Sequence, residues 1–130
     1  KPHTPFQWFK MEGPDAIKEK QDYLKRICKN RRLELNFHNR QMSFIEGILS
    51  RGDRKLSPVV LHAFKNGAKF DAWSNHFSFD AWSKAFESTG INSQENISEK
   101  SEQEGLAWDF IDFGLSKEEL LAEFKKIIDI

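Results

Sequence analysis

The chain has 130 residues, 20 Lys+Arg against 20 Asp+Glu, and 38% hydrophobic residues that include 12 Phe and 4 Trp. That is one domain's worth of polypeptide with enough aromatic surface for a core, which excludes a wholly disordered chain. A single cysteine, Cys28, excludes an internal disulfide and cannot alone hold structural zinc or an iron–sulfur cluster. No apolar run approaches the roughly 20 residues of a membrane-spanning helix, so a soluble, cytoplasmic protein with no membrane partner is expected. The zero net charge hides two opposite halves: residues 1–67 hold 14 Lys+Arg against 7 Asp+Glu, and residues 68–130 hold 6 against 13. Such halves either attract each other on folding or show opposite surfaces to partners.

In chain order, Pro2 and Pro5 predict an extended start that carries Phe6, Trp8 and Phe9, and the absence of an initiator Met suggests a beginning inside something larger. Gly13-Pro14-Asp15 predicts a helix start, with Ile17, Leu24, Ile27 and Cys28 as its narrow apolar stripe. Leu33, Leu35 and Phe37 alternate with Glu34, Asn36 and His38, which predicts a half-buried strand. Its partner is sought at Phe6 to Phe9, Lys69 to Trp73 or Trp108 to Phe113.

Ser43 and Glu46 have capping-box spacing before a short helix that ends at Gly52. Ser57-Pro58 predicts a helix stopped by Gly67, and Ser78 caps one that carries Phe79, Trp82, Ala85 and Phe86 and stops near Gly90. Residues 91–105 have two large apolar side chains and read as a polar, mobile linker. Ser116 and Glu119 then form a second capping box before an amphipathic helix with Leu120, Leu121, Phe124, Ile127 and Ile128. The expected fold is α+β: about five helices with a small two- to three-stranded sheet, in a single domain over 1–130. Trp82 and Phe86 are expected to pack with Phe64, Leu121 and Phe124.

Candidate chemistry is sparse. His3, His38, His62 and His76 lack the three-to-five-residue spacing of metal ligands, so no metal site is expected. Gly-x-Ser-x-Gly and Walker patterns are absent, so no catalytic residue is assigned. Arg51-Gly52-Asp53 spells an adhesion tripeptide, read as coincidence in a Cys-poor chain. Arg31, Arg32, Arg40, Arg51, Arg54 and Lys55, with Phe37 as a stacking surface, form a candidate binding surface for RNA phosphates or a protein; DNA is not expected. Phe70-Asp71-Ala72-Trp73 with His76-Phe77 either lines a pocket or forms a corner of the core.

Four segments resemble one family: Lys1-Pro2-His3-Thr4-Pro5-Phe6-Gln7-Trp8; Ser43-Phe44-Ile45-Glu46-Gly47 with Arg51-Gly52-Asp53-Arg54; Phe70-Asp71-x-Trp73 with His76-Phe77; and Trp108-Asp109 with Gly114-x-Ser116-Lys117. They look like the stretch after the catalytic barrel in bacterial radical S-adenosylmethionine proteins that also carry a cobalamin-binding-like domain. Ala107 departs from the pattern, where the family often has Pro. The resemblance implies a non-catalytic C-terminal accessory domain whose partner is the barrel of the same polypeptide. Residues 1–9 would be the remnant of a barrel-exit strand, loosely anchored without its neighbours. It further implies that Lys1, Pro2, His3 and Thr4 lie near the parent's cofactor. The parent would use a [4Fe-4S] cluster on a Cys-x3-Cys-x2-Cys loop and S-adenosylmethionine, with cobalamin as the further cofactor the extra domain suggests. This segment itself would hold none of them.

Overall fold

The computed structural model describes residues 1–128. Six α-helices carry the fold among them: α1 (Pro14–Ile27), α2 (Arg40–Arg51), α3 (Ser57–Lys65), α4 (Phe79–Thr89), α5 (Ser93–Ile97) and α6 (Lys117–Ile128). Two 3₁₀ turns, Pro5–Gln7 and Arg54–Leu56, precede α1 and α3.

Local chemistry sets most boundaries. Gly13 and Pro14 open α1. The Ser78 hydroxyl accepts the Ala81 amide at the start of α4, and Gly90, at φ 66°, ends it in the left-handed conformation that glycine tolerates best. The second capping box forms reciprocally: the Ser116 amide donates to Glu119 Oε2 at 2.7 Å, and the Glu119 amide donates to Ser116 Oγ at 3.2 Å. The first box does not form. Asn39 accepts from the amides of Gln41 and Met42, so α2 begins four residues early and Ser43 lies inside it.

The expected sheet is absent: no strand forms among the described residues, and the fold is helical. The run from Leu33 to Phe37 has strand patterning but lies as irregular chain with Leu33 61% exposed. Each prospective partner is folded otherwise. Residues 5–7 are a 3₁₀ turn in place of the barrel-exit strand, Phe70 sits at φ 58°, and 108–113 turn on hydrogen bonds from Asp109 to Leu106 and from Ile111 to Trp108. A lone strand cannot satisfy its own amides, so the period-two signal has nothing to pair with. The nearest approach to a ladder is a pair of backbone bonds: Lys100 N–H to Trp8 C=O at 2.9 Å and Met11 N–H to Ile97 C=O at 2.8 Å.

Two apolar clusters form the core. The larger gathers Phe44, Ile45, Ile48, Leu56, Val59, Ala63, Trp82, Ala85 and Ile97 from α2 to α5. Its densest contact is α3 against α4. Gly47 leaves room for Met11 on the back of α2, since a Cβ there would overlap the Met11 thioether. The smaller cluster joins Trp8, Leu106, Trp108, Leu120 and Phe124, with Trp8 fully buried. The last helix therefore docks on Trp8 and Trp108 rather than on α4, and Phe64, expected inside, is 55% exposed. Residues 91–105 contain α5, whose Ile97 is buried in the larger cluster.

Candidate functional site

Gln7 and Arg51 form a buried polar node, with Gln7 only 2% exposed. Gln7 Oε1 accepts the Trp108 indole N–H at 2.7 Å and the His3 amide at 3.2 Å, and its backbone C=O accepts Arg51 Nη1–H at 3.1 Å. Arg51 ends α2 at 4% exposure. Its Nε–H and Nη2–H donate to the carbonyls of Asn96 (2.9 Å) and Ser98 (2.8 Å), at the C-terminal end of α5, where helix carbonyls lack intrahelical partners. Burial pulls the guanidinium below its usual pKa range, with the Glu104 charge opposing. No carboxylate among the described residues pairs with Arg51, so carbonyl dipoles offset its desolvation, and three of its five N–H donors are committed to the protein's own backbone.

A second polar unit fastens the start of α6. Asp109 Oδ2 accepts the Leu106 amide at 2.9 Å and Lys117 Nζ at 2.8 Å, and Lys117 also donates to the Glu104 carbonyl. Burial alone would raise the Asp109 pKa. The Lys117 hydrogen bond, the Leu106 amide and the charges of Lys117 and His3 outweigh it and hold the carboxyl below its ordinary value.

Clefts open at several places on the surface. One of about 530 Å³ runs from Arg51–Leu56 to residues 90–108 and has both charge signs on its walls. One of about 690 Å³ is walled by Lys1, Pro2, Phe6, Phe9 and Met11 against Glu46 and Gly47. A third, of about 230 Å³, lies between α2 and the 70–77 loop.

The residues expected near a cofactor, Lys1 to Thr4, lie together around the Pro5–Gln7 turn. The Thr4 hydroxyl donates to the Lys1 carbonyl, Lys1 and Pro2 wall the 690 Å³ cleft, and the His3 ring packs on Phe113 at 4.2 Å between centroids. The expected basic surface is divided. Arg31 and Arg32 sit exposed beyond α1, Arg40 is half-buried at the start of α2, and Arg54 and Lys55 are exposed past its end, about 16 Å away along the helix axis. Arg51 is not on the surface. Phe37, the proposed stacking ring, has Lys25 Nζ 5.5 Å from its centroid. Of the two readings of the 70–77 loop, lining a pocket fits Asp71, Ala72 and Phe77, which border the 230 Å³ cleft; the core corner does not form, because Phe70, Trp73 and His76 cluster outside with Phe70 and Trp73 more than half exposed.

His62 Nδ1 lies 3.0 Å from Ser88 Oγ, but that hydroxyl also bonds the Ala85 carbonyl within its own helix, and no third group among the described residues orients the imidazole. No group of three or more His, Cys, Asp or Glu with metal-binding geometry occurs among the described residues. No described helix is long and apolar enough to cross a membrane. The roles of Gln7 and Arg51 escaped the sequence reading; the available signal was a lone amide between Phe6 and Trp8, and an arginine closing an apolar helix. No protein-family model, curated protein or solved structure matches this chain.

Proposed function

We propose that this chain is a non-catalytic, C-terminal accessory domain of a cytoplasmic radical S-adenosylmethionine enzyme, packing against the catalytic barrel of the same polypeptide. The resemblance in four segments motivates the reading. The observation that carries it is where those segments meet: Gln7 from the first, Arg51 from the second and Trp108 from the fourth share one hydrogen-bonded node. Asp71 of the third accepts the Trp82 indole N–H at 3.1 Å. Residues from all four segments are thus used as internal fastenings, which supports a structural rather than a chemical role for them.

The chain's own residues do not fit an iron–sulfur cluster. Its one cysteine, Cys28, is half-buried after α1, and a cluster needs about four such ligands. Cluster, S-adenosylmethionine and any cobalamin belong, in this reading, to the parent's other domains. The test is the whole reading frame, expressed and purified anaerobically. The expected result is a Cys-x3-Cys-x2-Cys loop in that frame, about four irons per polypeptide, and 5′-deoxyadenosine released from S-adenosylmethionine on reduction. A frame without that loop, or a full-length protein that forms no 5′-deoxyadenosine, overturns it.

A second reading, an RNA-binding module, is favoured by one observation: Arg31, Arg32, Arg54 and Lys55 are exposed with no ion-pair partner among the described residues. Several phosphate contacts would make affinity for an RNA oligomer fall by orders of magnitude between about 50 and 200 mM salt. A salt-independent or undetectable interaction sinks that reading.

A further inference from the structure

The 230 Å³ cleft combines apolar walls with acceptor-only charge. Met42, Ile45, Leu49, Ala72, Phe77 and Trp82 supply the walls, and Asp71 and Glu46 are its only ionisable lining groups among the described residues. Neither carboxylate has an ion-pair partner among the described residues. Asp71 Oδ2 accepts the Trp82 indole, while Oδ1 is buried with no hydrogen-bond partner. A buried oxygen left unsatisfied is costly, and the carboxylate charge is shared by both oxygens, so the side chain favours any cation lodged beside it.

We propose that this cleft receives a Lys or Arg side chain from a protein partner. An amphipathic side chain matches both features at once: its methylenes lie along the apolar walls and its cationic head meets Asp71 and Glu46. The surroundings favour a macromolecule over a free amine. The loop that supplies Asp71 and Ala72 also holds Phe70 and Trp73 outward at 68% and 58% exposure, their rings packed edge to face. Large exposed aromatics beside a charged pocket are the composition of a protein interface. Phe70 holds a positive φ of 58°, so the loop keeps a conformation that is unfavourable for this residue while turning its ring to solvent. The inference is independent of the radical S-adenosylmethionine reading.

The test is a ¹H–¹⁵N titration of the whole chain with acetyl-Gly-Arg-Gly-amide and, as the neutral control, its norleucine counterpart. The Trp82 indole and the amides of residues 71–77 report on the cleft. The arginine peptide is expected to shift these signals saturably, and the norleucine peptide to leave them in place. Glu46→Gln, at an exposed helix position, and Asp71→Asn, which keeps an acceptor for Trp82, are each expected to weaken binding about threefold or more. Equal shifts from both peptides, affinity unchanged in both variants, or no shift at tens of millimolar peptide would each overturn the proposal.

Discussion

At the residue scale, Gln7 and Arg51 show how little of a polar joint is visible along the chain. Gln7→Leu preserves approximate volume but leaves the Trp108 indole and the His3 amide without their acceptor, so it should cost about 1 to 3 kcal/mol in urea unfolding. Arg51→Met strands the carbonyls of Gln7, Asn96 and Ser98 and should cost about 2 kcal/mol or more, while exposed Arg54→Met should stay within about 0.5 kcal/mol. Equal effects at the two arginines would mean that the guanidinium contacts are not formed in solution. These roles were not legible in the sequence because the partners are remote: Gln7 meets Trp108 across 101 positions and Arg51 meets Ser98 across 47. The basic surface drawn from sequence counted Arg51 as one more exposed cation, whereas its carbonyl partners draw it inside.

Legibility at the element scale follows locality. Gly13-Pro14, Ser78, Gly67, Gly90 and the Ser116/Glu119 box act within one helical turn, and the structure uses them at the ends of helices. The strand at Leu33 to Phe37 required a distant partner, and α5 required Ile97 to find α2, which the polar composition of 91–105 conceals. Within α4, Trp82→Ala empties a buried site and removes the donor to Asp71, so a loss of about 3 to 5 kcal/mol is expected by chemical denaturation. A loss below about 1 kcal/mol would place that ring in solvent. The Asp109 unit ties the 105–112 turn to the first residue of α6, and its pH dependence has a definite sign. Because the folded carboxyl titrates below the unfolded value of about 3.9, its stabilisation is complete above that pH and is lost as pH falls through the folded value. Unfolding midpoints measured from about pH 5 down to pH 2.5 should therefore fall less steeply in Asp109→Asn than in the parent chain. Parallel curves would mean that the carboxylate is unpaired.

At the scale of the whole molecule, the described residues form two apolar clusters with no sheet among them to bridge the two. The bridge is the segment from Gln7 to Met11. Trp8 is buried in the smaller cluster, Met11 packs on the larger, and Arg51 reaches from α2 to the Gln7 carbonyl. The opposite charges of the two halves do not meet in ion pairs among the described residues: each pair lies within one half, such as Lys18–Asp22 in the first and Lys84–Asp80 in the second. Native-state hydrogen exchange tests the joint most directly, through the Met11 and Lys100 amides that bond to Ile97 and Trp8 across it. If the chain opens as one unit, these two amides exchange with a free energy within about 1 kcal/mol of the buried Ala85 amide in α4. Exchange of Met11 and Lys100 at rates near those of unprotected amides, with Ala85 still protected, would show that the first eleven residues are not fastened to the helical core.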